Sequence, residues 1–314
     1  MNKYQKLECI DEHQMKKSGL ILILPAILCM AGCSNLLKID NYVTHAYFSS
    51  QVVSGNNILA IKESERSRLS NFLGVDYKLI LIDSVTKEEN VIAVISIPES
   101  RLGWPDVIAV EANKTQALFF TLTDAYSSWF LDIFNTQGTK IQRIDLSKKP
   151  QTAHWDPDGT MIAISYADGG VEIYNTTGTR LNQIDGGHHF IWKNTQEGFY
   201  LNSGARLAHY NLTSNQETII SDSPVWPIQY NSGTNIIYGA TNNVVTEVNL
   251  NASPITLQTQ TLNFVTNNYE VTTISSDGAN VLLTDYRSGI SRILMINRDE
   301  NILKIIKQKI SLIE

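Results

Sequence analysis

Residues 151–180, QTAHWDPDGTMIAISYADGGVEIYNTTGTR, constrain the fold more than any other part of the chain. Three apolar runs, 153–155, 161–166 and 170–174, are each bounded by turn residues. Asp158-Gly159 and Asp168-Gly169 supply the positive φ of tight hairpins at little steric cost. Residues 176–179 make a third turn before a fourth short strand begins at Arg180. Four short antiparallel strands in about 35 residues make one β-propeller blade, and blades come in series. A four-stranded sheet cannot bury both faces alone, so the blades must pack side by side and close into a ring.

The same stretch resembles a known family. Trp155-Asp156-Pro157-Asp158-Gly159-Thr160-Met161-Ile162-Ala163 is similar to the W-S-P-D-G-x-x-[IL]-A segment of WD40 and TolB-like propellers. Asp168 to Asn175 resembles the D-G-x-[VI]-x-[IL]-[WY]-D that ends their third strand, with Asn175 where the family has Asp. The resemblance implies a fold and hardly any function.

Applied from Val43 onward, the strand-and-turn pattern predicts an all-β single β-propeller domain over residues 43–314. It has six four-stranded blades, or seven if the long first unit hides another. Blade one takes 44–48, 58–62, 78–82 and 91–95, with residues 63–74 as a protruding loop or helical turn. Blade two takes 107–110, 117–122, 129–134 and 140–144, and blade three is the stretch above. Blade four takes 190–192, 198–201, 206–210 and 217–220. Blade five takes 227–230, 235–238, 244–248 and 255–261, and blade six takes 271–274, 280–284, 291–296 and 303–307. Closure is expected to have the first strand, 44–48, complete the sheet of the last blade. A pair of β-sandwiches is the runner-up fold.

The N-terminus carries an address. Met15-Lys16-Lys17 is a basic start, residues 18–30 are an apolar run, and Ala31-Gly32 precede Cys33. So short a run reads as a secretory signal rather than a membrane span. Met30-Ala31-Gly32-Cys33 resembles the bacterial lipobox, which implies lipidation of Cys33. The three cysteines are Cys9, Cys29 and Cys33, so none follows Cys33 to mispair in an oxidising envelope. The expected organisation is a signal peptide over 1–32, with translation starting at Met15, then a lipidated tether over 33–42. Ser34 after the cysteine implies passage to the outer membrane, facing the periplasm. With 25 basic and 31 acidic side chains, the chain has no concentrated basic surface for nucleic acid.

No nucleophile constellation, metalloprotease motif or glycine-rich phosphate loop is present. Asp156 to Gly159 resembles the start of a calcium loop but lacks the later acidic ligands, and reads better as a turn. His188-His189 suggests a metal, yet adjacent strand side chains point to opposite faces, so no metal or other cofactor is assigned. Asn-x-Ser/Thr triplets at Asn113, Asn175, Asn211 and Asn251 are read as turns.

The candidate partner-binding residues lie where the chain crosses to each innermost strand. Gly103-Trp104-Pro105 and Val225-Trp226-Pro227 form a partial repeat, and the other blades place His45, Gln151, His188, His189 and Tyr269 there. Such a ring of aromatic residues with little charge suits protein or glycan recognition. The bland alternative is that both tryptophans plug the channel or cap neighbouring blades. The expected function is a lipid-anchored, non-catalytic envelope scaffold that binds a periplasmic or outer-membrane protein. The alternative is a propeller-type hydrolase, lyase or lactonase with a channel site that could use a metal.

Overall fold

Short runs of β-branched and aromatic residues, separated by Asx and Gly turns, pair most readily with their sequence neighbours. The computed structural model describes residues 41–310 apart from 55–56, 69–70, 99–109, 113–115, 124–127, 136–138, 242, 263–268, 276, 288–289 and 301. The described residues form 24 strands and no helix. The strands make six four-stranded antiparallel sheets, each in sequence order.

The first sheet comprises β1 (Asn41–Ser54), β2 (Asn57–Arg68), β3 (Asn71–Asp83) and β4 (Glu89–Pro98). The second holds β5 (Val110–Ala112), β6 (Gln116–Thr123), β7 (Ser128–Asn135) and β8 (Lys140–Leu146). The third holds β9 (Pro150–Trp155), β10 (Met161–Tyr166), β11 (Val171–Asn175) and β12 (Arg180–Ile184). The fourth is β13 (His188–Asn194), β14 (Glu197–Leu201), β15 (Leu207–Asn211) and β16 (Gln216–Ser221). The fifth is β17 (Pro227–Asn231), β18 (Ile236–Thr241), β19 (Val244–Asn249) and β20 (Thr256–Thr261). The last is β21 (Tyr269–Ile274), β22 (Asn280–Arg287), β23 (Ile290–Asn297) and β24 (Ile302–Ile310).

Each sheet's first strand touches the first strands of both neighbouring sheets, from β1 through β21 and back to β1. That arrangement is a closed six-bladed ring with β1, β5, β9, β13, β17 and β21 around its axis. Apolar residues fill the seams between blades. Leu131 and Ile133 of blade two meet Ile162, Ile164 and Tyr166 of blade three. Ala163 and Val171 of blade three meet Phe190, Trp192 and Tyr200 of blade four. Successive residues of one strand thus serve opposite neighbours, as the period of two requires.

Two expectations are corrected. Strand β1 pairs with β2 in its own sheet, and β21 to β24 form a sheet without it. The ring closes by side-chain packing instead: Ile58, Ala60, Ile80 and Ile82 of blade one cluster with Leu282, Ile293 and Ile306 of blade six. Residues 63–68 and 71–74 are strand, not the expected protruding loop or helical turn. The charged segment extends β2 to Arg68 and β3 from Asn71, and the pairing holds from Asn57↔Asp83 to Arg68↔Asn71. Residues 63–67 of β2 are all polar, yet their main chain stays paired with β1 on one side and β3 on the other.

One device recurs in all six blades. The last residue of the third strand is Asp83, Asn135, Asn175, Asn211, Asn249 or Asn297. In each, the side-chain oxygen accepts a backbone N–H two to four residues on, from Val85, Thr139, Thr177, Ser214, Asn251 or Glu300. Asn175 Oδ1 also accepts from Thr179 N–H at 2.8 Å, so its amide closes this turn on both sides. Asp156 serves its own hairpin similarly, accepting Thr160 N–H at 2.6 Å and Met161 N–H at 2.8 Å.

Candidate interaction surface at the mouth of the ring

A meander of four strands returns to the face it left, so all six innermost strands enter from one end. The hydrogen bond from Gly170 N–H to the Gly187 carbonyl, 2.8 Å, ties the β10–β11 turn to the crossing before β13 on that face. Gly187 must be glycine, because a Cβ there would lie 2.6 Å from the Tyr200 ring. The Gly187-His188 pair is thus a packing feature.

His188 opens β13, and its ring lies over Gly169, whose ideal Cβ would be 3.5 Å from His188 Nε2. His189 is in the left-handed region, φ 53°, within a bulge between His188 and Ile191. Its ring turns the other way, with its centroid 4.5 Å from Trp226 in an edge-on contact at 63°. The two imidazoles therefore do not converge on one ion.

Trp226 immediately precedes β17 and remains 37% exposed. Its backbone is fixed: Val225 is buried, Ala240 N–H donates to the Trp226 carbonyl, and a Cβ at Gly239 would come within 2.7 Å of that oxygen. The result is a half-open indole on a locked backbone, with the His189 imidazole against it. Gln151, the second residue of β9, is half-buried, and its Oε1 lies buried without a hydrogen-bond partner, as does Thr152 Oγ1 beside it. The candidates Gln151, His188, His189 and Trp226 thus all lie at or just before innermost strands. His45 is the extra residue where β1 slips register between Thr44 and Ala46, and Tyr269 opens β21. The side chains of His45 and Tyr269, and the whole of Trp104, lie outside the described residues, as do Cys33 and residues 34–40 of the expected tether, whose last two residues, 41 and 42, belong to β1.

Burial, with His154 and His188 nearby, pushes the His189 imidazole down to about 4, so it is neutral at pH 7. Its Nε2 is buried without a partner. The unfolded chain takes up the proton near 6.5, so His189's contribution is complete above 6.5 and is lost as pH falls toward 4. By pH 5 the loss is about 2 kcal/mol. Denaturant titrations at pH 7 and pH 5 should show this loss shrinking in His189→Asn, since asparagine tolerates the backbone conformation. An equal loss in both proteins would remove His189 as its source.

Sequence reasoning overlooked the buried acids of the third strands. Asp132 on β7 receives two 2.7 Å hydrogen bonds from Arg143, its cross-strand neighbour on β8. Glu172 on β11 accepts from the hydroxyls of Tyr166 and Tyr174 and from Arg180 Nη1. The available signal was an acid inside an apolar run, Leu131-Asp132-Ile133 and Val171-Glu172-Ile173, with an arginine on the next strand. A third clamp joins blades five and six, where Arg298 donates to Glu247 at 2.6 Å, to Gln260 at 2.7 Å and to the Gly278 carbonyl at 2.8 Å.

No protein-family model matches the sequence, and no curated protein matches it. Solved structures share the architecture. TolB from Acinetobacter baumannii is similar at 15% identity and a TM-score of 0.48, over 74% of this chain and 65% of that one, just under two thirds of its length. A functionally unknown protein from Desulfotomaculum acetoxidans DSM 771 matches at 12% identity, 82% and 95% coverage and a TM-score of 0.50. A chain of the nidogen/laminin complex matches at 12% identity, 85% and 93% coverage and a TM-score of 0.51. At such identities the likeness concerns fold alone, and with the six sheets it makes this chain a β-propeller.

Proposed function

We propose that this protein is a non-catalytic scaffold of the bacterial cell envelope, lipid-anchored through Cys33, that binds another envelope protein at the mouth of its ring. The observation that carries the reading is Trp226, held on a fixed backbone, more than a third exposed and flanked by His189. Interface energy concentrates in such aromatic anchors, and a rigid presentation lowers the ordering cost of binding. The sequence from Met15 to Cys33 supplies the proposed signal and anchor, and Ser34 favours the periplasmic face of the outer membrane. A neighbour in fold is itself known from a protein–protein complex, that of nidogen and laminin.

Affinity capture of the lipidated protein from detergent-solubilised envelopes tests the reading, with Cys33→Ala as the control for anchoring. Trp226→Ala should lose the stoichiometric partner by tenfold or more, while the melting temperature stays within about 3 °C. Capture unaffected by Trp226→Ala would move the binding surface elsewhere. Co-purification of a metal or small molecule in place of a protein would favour a channel active site.

A further inference from the structure

The outer strand of each blade is a sheet edge, and edges invite pairing unless charge, bulge or proline blunts them. Five of the six outer strands carry two of these guards. Strands β4, β8, β12, β16 and β24 each contain charged residues, and each pairs with its neighbour through a register slip. Strand β20, Thr-Leu-Gln-Thr-Gln-Thr, has neither. It holds no charge and no proline, it pairs with β19 in unbroken register over six residues, and five of the six are exposed.

The phase of that edge can be fixed. Leu262 N–H donates to the Asn243 carbonyl at 2.8 Å, which makes Asn243↔Leu262 a hydrogen-bonded pair at the end of the β19–β20 ladder. Because such pairs alternate along an antiparallel ladder, the N–H and C=O of Thr256, Gln258 and Gln260 point toward β19. Those of Leu257, Thr259 and Thr261 point away from it, to the open edge.

We infer that β20 is a self-association edge, where a second copy of this chain adds its own β20 antiparallel. A twofold axis at Thr259 sets Thr259 opposite itself and Leu257 opposite Thr261, so every outward group meets a complementary one in about six main-chain hydrogen bonds. Neutrality selects this occupant. Self-pairing of β24 would crowd Lys304, Lys307 and Lys309 of the two copies along one short ladder, whereas β20 meets only threonine, glutamine and leucine. Threonine and glutamine both donate and accept, so identical strands satisfy one another across the axis. A single strand pair buries less than the roughly 1,000 Å² of a stable interface, so the dimer is weak and depends on concentration.

Sedimentation equilibrium of the full chain in a non-ionic detergent tests this, with Thr259→Pro as the decisive variant. The Thr259 N–H faces outward, so proline there removes an edge donor without breaking the β19–β20 ladder. The wild-type mass should climb toward that of a dimer with rising concentration, and Thr259→Pro should stay monomeric with a melting temperature within a few degrees of wild type. Should Thr259→Pro fail to fold, Thr259→Lys places like charges on the axis and should abolish the dimer instead. A Thr259→Cys protein should form a disulfide dimer, since directly opposed α-carbons in a hydrogen-bonded pair lie within bridging distance. Ser232→Cys, on the β17–β18 turn, should not. Wild-type protein that stays monomeric at its highest concentration, or a dimer that survives Thr259→Pro and Thr259→Lys, overturns the inference.

Discussion

Leu282→Ala should lower stability by about 3 kcal/mol, within the range for a fully buried leucine that leaves a cavity. For a domain of this size that is a drop of roughly 6–12 °C in melting temperature. Leu282 is inaccessible and packs with Ile293 and Ile306 of its own blade against Ile58, Ala60, Ile80 and Ile82 of blade one. Since no strand is exchanged between the first and last sheets, this cluster carries much of the closure. Opening the seam would expose an apolar face on each terminal blade. A truncation at an internal seam, Ile164→Val, removes one methyl group and should cost only about 1 kcal/mol. Equilibrium unfolding in urea measures both. A loss below 1 kcal/mol for Leu282→Ala would mean that the two ends of the ring are not packed as described.

Glu172→Ala should cost about 3 kcal/mol, because it strips the common acceptor from two buried tyrosines and the partner from Arg180. Arg180 is about half exposed and recovers hydration, which keeps the figure at the low end for a broken pair. Glu172→Gln keeps an acceptor and should recover more than half of the loss. Burial raises the Glu172 carboxyl, but hydrogen bonds from Tyr166, Tyr174 and Arg180 outweigh it and hold the group below its ordinary 4.5. Burial and the bond to Glu172 together push the Tyr174 hydroxyl up to about 12, so it stays a donor at neutral pH. The stabilisation from Glu172 is therefore present above 4.5 and is lost as pH falls through the lower folded value. Unfolding of Glu172→Gln between pH 7 and pH 3 should show a shallower acid limb than wild type, and parallel limbs would rule out Glu172 as a contributor.

Much of the fold was legible because it is local. The predicted third blade, 153–155, 161–166, 170–174 and 180–184, matches β9 to β12 to within a few residues, since Gly159 and Gly169 adopt the positive φ that their dipeptides announce. The sixfold repeat of Asp or Asn at the end of each third strand was also present in the sequence. It passed unnoticed because its spacing varies from blade to blade, and only pairing shows that these residues occupy equivalent places. The candidate site was half legible. Placing Gln151, His188, His189 and Trp226 at the entrances of innermost strands followed from counting strands. The direction of each ring did not, because the bulge at His189 breaks the alternation on which side-chain facing depends.

The sequence by itself determined the propeller architecture and the position of most of its turns, and narrowed the blades to six or seven, because hairpin chemistry and the period of two act over neighbouring residues. Tertiary structure alone decided how the ring closes, which way the His188 and His189 rings face, and which main-chain groups of β20 point to its open edge. Closure depends on groups far apart in the chain meeting across a seam, the facing of the rings on a bulge, and the open edge on the phase of a hydrogen-bond ladder, none of which leaves a local mark in the sequence.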